Sequence, residues 1–433
     1  MRPSRLVALV ALVALAAPGC RFVRRALGDD DHGNRATRRL RRTSDVEVDE
    51  HIVRDAPADN ASVDPALAAR LAELGYVDGL VEADDGPTAV TQRAPGADSG
   101  GWNFYTVGGQ TAAFLVDMDG HEVWRWTVAV GDVWPELADE ARKASWRRAL
   151  LLPGGDVIGV WTDYGVARVD RTGAIRWARY AAVHHDLQLT PDGGVIVLEH
   201  EPRRVPWIDP DRDVFEDFVV WLGPDGSELR RVSVLEAFKR NPDFRRIWGQ
   251  RSHDGVDPFH TNSLEVLDDR LVGDGSPLRP GQILLSMRHL DTVAVLDPDA
   301  ETITWTLQDT FHGQHDPRTV GPFEILVFDN RGLKDTSRLL AYDVRTKQRT
   351  WSYEGDPAHP FFTIDCGHAQ RLADGHTLVN ESAAGRAFEI TPEGKTVWEY
   401  RSPYRVGGGK VARFYEFRRV SADADMAWLA RDR

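Results

Sequence analysis

The chain has 433 residues, 42% of them hydrophobic, a formal net charge of −14 and two cysteines, Cys20 and Cys366. That length and apolar content support a large buried core, and plentiful Gly and Trp with few long helical patterns point to an all-β class. The acid excess argues against nucleic acid as a partner, since phosphate binding needs a concentrated basic surface, and two cysteines make no disulfide framework.

At the N-terminus, MRPSR carries two arginines, LVALVALVALAA is an apolar run too short to span a bilayer comfortably, and APGC sets small residues before a cysteine. Residues 1–20 read as a secretory signal. Gly19 and Cys20 resemble the end of a bacterial lipoprotein signal, which implies acylation of Cys20 and an exported protein, periplasmic or held at the outer membrane or cell surface by its lipid alone. An ordinary cleaved signal or an uncleaved anchor would leave the exported location unchanged. Residues 21–99 turn from arginine-rich to acidic with little apolar periodicity beyond DPALAARLAELGYV, so they read as a flexible, largely disordered charged tether. The folded domain is expected to run from Gly100 to the end, residues 100–433.

Within it a strand, a tight turn and a second strand recur: LVDMDGHEVW, RVDRTGAIRW, WLGPDGSELR, VLDPDAETITW, AYDVRTKQRTW and EITPEGKTVW, ending at Trp124, Trp177, Arg230, Trp305, Trp351 and Trp398. Gly, Asp and Pro in the turns supply the dihedrals of tight hairpins. Repetition at this spacing predicts a six-bladed β-propeller, with an insertion from about Glu236 to Pro258. The first unit holds only the last two strands of a blade and ARFYEFRRVSADADMAWLA reads as the first two of another, so the ends are expected to pair and remove an open sheet edge.

Aligned on the strand preceding each hairpin, Arg147, His185, His260, His315, His368 and Glu416 fall at or near equivalent positions. The innermost strand of each blade lines the central channel, so these side chains are expected at one mouth. Imidazoles and a guanidinium together suit an oxyanion such as sulfate or phosphate, with arginine able to donate bidentately. In the insertion, Phe238, Phe244 and Trp248 are candidates to cover a planar substrate and Arg245, Arg246 and Arg251 to concentrate anions; a solvated loop on a hydrophobic anchor is the alternative, and EPRRVPWIDPDRD is a second candidate loop.

FHTNSLE followed by ILLSMRH, then QHD before a strand ending in FDN, resembles the bacterial arylsulfate sulfotransferases, secreted six-bladed propellers that move a sulfuryl group between phenols. The resemblance runs from about Gly100 to the C-terminus. It implies that His315 is the transiently sulfated nucleophile, that His260, Asn262 and Arg288 surround it, and that His185, with His184 as a neighbouring alternative, completes the catalytic group. Arg147, His368 and Trp248 are then expected on the substrate side. No family dimerisation domain aligns with the N-terminal portion and no cysteine pair is available for a disulfide.

Sulfuryl transfer by analogy with phosphoryl transfer needs an in-line nucleophile, donors on the nonbridging oxygens and an acid for the leaving group. His315 can attack as neutral imidazole, Arg288 and Asn262 can hold oxygens, and His260 can protonate the departing phenolate and later deprotonate the incoming phenol. The expected partners are a small phenolic donor and acceptor. No cofactor and no metal is required, and there is no Gly-rich phosphate loop. The rival readings are an aryl sulfatase-type hydrolase using water, a metal-dependent propeller enzyme with Cys366 beside His368, and a non-catalytic binding propeller.

Overall fold

The structure, a computed structural model, describes residues 81–82, 86–96, 98–140, 145–251, 255–269, 275–330 and 336–430. The signal segment, Cys20 and most of the expected tether lie outside the described residues. Six antiparallel sheets of four or five strands form a β-propeller, as the repeats predict. Blade one combines Trp102–Val107, Ala112–Asp117 and Glu122–Thr127 with Phe414–Val420; blades two to six begin at Trp146, Val183, Thr261, His315 and His368.

Closure differs in proportion from the expectation. The N-terminal side supplies three strands of blade one and the C-terminal side one, with Val420 opposite Trp102 and Phe414 opposite Val107. The residues after that strand form a 3-10 turn, Ala427–Ala430, whose Trp428 packs on Trp124 and Trp126 rather than adding a strand. The boundary at Gly100 is also too late. Ala89–Arg93 pairs with the outer strand of blade six, and Val411 N–H donates to Val81 O, so ordered chain begins ahead of it.

The repeated turn and the repeated aromatic each have a physical cause. The left-handed position of the turn is glycine in Gly120, Gly173, Gly226 and Gly394, with φ between 80° and 90°, and Glu301 and Lys347 occupy it in the other two repeats. The aromatic at the end of each unit joins neighbouring blades. Trp124, Trp305, Trp351 and Trp398 donate Nε1–H to Arg171, Val344, Pro392 and Met118 carbonyls of the next blade at 3.1–3.3 Å. Arg230 does the same with its guanidinium to Pro298 O, which explains why an arginine can stand in the series. Trp177 lies over Gly226, where a Cβ would come within 2.6 Å of the ring.

The insertion is not a solvated loop. It forms Val234–Lys239, capped by Ser233 Oγ accepting from Glu236 N–H, and a second short helix, Phe244–Trp248. Phe238, Ile247 and Phe259 join the apolar cluster between blades three and four. Among the described residues no helix is long and apolar enough to cross a membrane.

Candidate active site

The inner strands carry one recurring irregularity. In blades two, three, four, five and one the ladder skips Arg147, the His185–Asp186 pair, Asn262, the Asp316–Pro317 pair and Tyr415 respectively. Such bulges redirect side chains out of the pleat. His185 and His260 sit in left-handed backbone at φ 55° and 47°. That conformation costs a β-carbon residue roughly 1 kcal/mol or more, so packing around the mouth must hold it there.

Blade six has no such bulge: His368 to Arg371 pair continuously with Asn380 to Thr377. His368 therefore stays in the ladder, where Nε2 donates to Phe417 O at 2.7 Å and burial pushes its pKa down to about 4. His368 and Glu416 belong to a buried layer of paired charges below the mouth. In it Arg148 meets Asp186 at 2.8 Å and Glu416 at 2.6 Å, Arg318 meets Asp186 at 2.7 Å and Asp316 at 2.5 Å, and Arg418 meets Glu416 at 2.5 Å. Asp186 also accepts from Leu264 N–H of blade four at 3.0 Å. These bonds tie the inner strands together with polar groups that compensate one another, as buried charges must.

The remaining predicted residues converge above that layer. His315 Nδ1 lies 2.5 Å from Asn330 Oδ1 and 2.9 Å from Gly313 O. Both partners are acceptors, since Asn330 Nδ2 donates to Thr363 O and Cys366 O. Nδ1 must carry the proton, and Nε2 keeps its lone pair. Burial, then the Arg288 guanidinium, push the His315 pKa down to about 3, so the ring is neutral. Gln314 beside it donates to Ser286, Met287 and Thr292, and Gly313, at φ 65°, brings the backbone close to Arg288, so the loop carrying His315 is rigidly seated.

His260 forms a dyad with Asp257. Asp257 Oδ2 is 2.5 Å from His260 Nδ1 and Oδ1 accepts from His260 N–H at 3.0 Å. Despite burial, His260 holds the Asp257 carboxyl well below its usual range. His289 Nδ1 donates to Asp257 O at 2.6 Å, and its Nε2 accepts from Arg288 Nη1 at 3.1 Å, which aims the guanidinium. The His260 ring is 4.8 Å from His185 and 4.6 Å from His289, centroid to centroid. Burial and the neighbouring His260 charge hold His185 well below its ordinary pKa. Arg147 stacks on Tyr415 at 4.9 Å and its charge reaches His185, placing it with the group. Asn262 Nδ2 donates to Gln314 O at 2.9 Å, and its Oδ1 is buried with no hydrogen-bond partner.

Trp248 stands apart. Its ring packs on Phe259, Phe244 and Trp207 with Arg251 over it, and Phe238 is wholly buried, so the aromatics of the insertion anchor the helices that brace Phe259 next to His260. Arg245 and Arg246 are exposed on the same helix.

Asp257, His289 and Asn330 were not singled out from sequence. Asn330 closes FDN and His289 follows Arg288, so both lay inside a quoted motif without a signal of their own, while Asp257 stands three residues before His260 at the end of the insertion. The assembly sets together a neutral imidazole with one locked tautomer, a carboxylate-backed imidazole and an oriented guanidinium, groups whose chemistry suits a nucleophile, an acid–base and an oxyanion clamp.

Residues 148–403 match the family model described as arylsulfotransferase (ASST), more than half of the chain and all of blades three to five. The match begins later and ends earlier than the resemblance from Gly100 onward. No curated protein matches the chain. Among solved structures it is similar to a protein of unknown function from Bacteroides caccae, at 12% identity and TM-score 0.46 over 69% of this chain and 93% of that one. It is also similar to streptogramin B lyase, at 8% identity and TM-score 0.42 over 76% of this chain and 97% of that one. The Dos1 propeller matches at 10% identity and TM-score 0.39 over 68% of this chain and 66% of that one.

Proposed function

Because the chain belongs to the arylsulfotransferase family, we propose that it moves a sulfuryl group from an aryl sulfate ester to a phenol through a sulfated His315. The observation that carries this reading is the Asn330 and Gly313 acceptors on His315 Nδ1, which leave Nε2 as a neutral nucleophile beside Arg288. His315 Nε2 attacks sulfur; the N–S bond forms as the S–O bond to the aryl group breaks, and the electron pair leaves with the phenolate. Protonated His260, stabilised by Asp257, gives that oxygen its proton. The second phenol returns a proton to His260, its oxygen attacks sulfur, and the N–S pair goes back to His315.

Arg288 clamps the nonbridging oxygens where charge is spread in the loose transition state. Asn262 keeps a second amide proton for a sulfuryl oxygen, and its buried Oδ1 is an acceptor suited to the hydroxyl of the incoming phenol. The cycle closes on side chains alone. The exported, lipid-held location implied by Cys20 belongs to the same reading: labelled palmitate entering the wild type but not Cys20→Ala supports it, and equal labelling rejects the anchor.

The deciding experiment mixes purified protein with para-nitrophenyl sulfate, with and without a second phenol. Nitrophenolate release accelerated by the acceptor, a sulfated product, ping-pong kinetics and a rapid-quench mass increase of one sulfuryl group lost in His315→Ala are expected. Release with no sulfated acceptor makes the enzyme a hydrolase instead, and normal transfer by His315→Ala removes the nucleophile assignment.

A further inference from the structure

Behind His185, blade three places three potential ligands on one face of adjacent strands. His184 lies opposite Leu198, His200 is two residues further along that strand, and Asp217 is directly opposite His200. Their ligand atoms all lie within 4.8 Å of one another. His184 Nε2 is buried without a hydrogen-bond partner, and the side chain is only 3% exposed. Asp217 Oδ1 is 3.6 Å from it, too far for a hydrogen bond. Two ligand atoms on one tetrahedral zinc, at bonds of about 2.0–2.2 Å, stand about 3.3–3.6 Å apart, which includes that spacing.

We infer that His184, His200 and Asp217 form a binding site for a divalent first-row transition ion. Each ligand has the outer partner such a site needs. His184 Nδ1 is 2.8 Å from His185 Nδ1, His200 Nε2 is 3.2 Å from Asp163 Oδ1, and Asp217 Oδ2 accepts from Thr261 N–H at 2.8 Å. With Nε2 turned to Asp163, Nδ1 is the His200 nitrogen left for an ion.

The neighbouring group of Asp257, His260 and His289 is not equivalent, because both ring nitrogens of His289 are already engaged, by Asp257 O and Arg288. The more exposed groups around His121 and His376 serve hairpin turns, with Asp117 and Asp374 accepting backbone N–H groups.

An ion on His184 Nε2 would leave the proton on Nδ1, where it donates to His185 Nδ1 and forces the His185 proton onto Nε2. The ion is thus a positioning device for His185, and this last consequence rests on the proposed sulfuryl chemistry; the binding itself does not.

The test strips the purified full chain with a chelator and titrates it with zinc, counting bound metal after desalting, with cobalt as a spectroscopic probe, all without substrate. Saturation at a single ion per chain is expected, with the visible bands of a low-coordinate cobalt site. Asp217→Asn, which keeps an acceptor for Thr261 N–H, and His184→Ala should each abolish it. Asp163→Asn should weaken it by about 10- to 100-fold, and His289→Ala should leave it intact. Absence of saturable binding, or binding that survives Asp217→Asn with circular dichroism unchanged, overturns the site. Loss in His289→Ala moves it to the other cluster. Neither failure touches the sulfuryl-transfer reading, which the nitrophenyl sulfate assay decides separately.

Discussion

Replacing Asp257 by asparagine separates the two halves of the proposed reaction. The carboxylate holds His260 by two bonds, Oδ1 to the backbone N–H at 3.0 Å and Oδ2 to Nδ1 at 2.5 Å, while its main-chain oxygen takes the His289 proton. An asparagine that keeps its oxygen on the backbone N–H must turn its NH2 toward Nδ1, so the His260 proton moves to Nε2 and the base is lost. Flipping the amide would set two donors against each other. The change removes a charge-assisted bond of about 1.5–3 kcal/mol, which is about 10- to 160-fold in rate. Only the step that needs a base pays it. Nitrophenolate is a weakly basic leaving group that departs without a proton, so sulfation of His315 should proceed nearly as in the wild type. Stopped-flow mixing of Asp257→Asn with para-nitrophenyl sulfate and saturating acceptor phenol should show a normal burst followed by steady turnover slowed by that factor. Equal slowing of both phases, or of neither, refutes the acid–base assignment.

The depressed histidine pKa values carry a pH signature. Neutral His315 persists down to about pH 3, so the nucleophile imposes no acid limb near 6.5 on the sulfation step, and a limb there in a single-turnover profile would contradict it. Stability runs differently: folded His184 and His315 titrate at about 3 and His368 at about 4. Between there and the unfolded value of about 6.5 the unfolded chain binds more protons, so stability falls with falling pH by at most about 4 kcal/mol per unit. Urea unfolding at pH 7 and pH 5 reads this, and equal midpoints would contradict it. His200, held up at about 9, contributes fully below 6.5 and loses its contribution as the pH rises through 9. Trp398→Ala removes a buried ring and its bond to Met118 O and should cost about 3–5 kcal/mol; a loss under about 1 kcal/mol would deny the blade-joining role. Truncation after Gly409 removes Phe414–Val420, exposes the Trp102–Val107 edge and should yield aggregates in light scattering, whereas a soluble, active truncation would defeat the closure argument.

The propeller was legible in the sequence because its cause is local and repeated: each hairpin needs one left-handed residue, and each unit ends in a side chain able to reach the next blade. The types of group at the mouth were legible too, since His260, Asn262, Arg288 and His315 stand in short motifs. What periodicity could not express is direction. His185 and His368 occupy similar places in their repeats, yet one bulge in the hydrogen-bond register turns the first toward His260, and an unbroken ladder keeps the second on Phe417 O. Nor could spacing reveal partners brought from other strands. Asn330 reaches His315 from the next strand of its blade, and Asp217 reaches across blade three to His184. Protonation state is likewise set by burial and by which acceptor faces which nitrogen, quantities that exist only once the strands have closed into a ring.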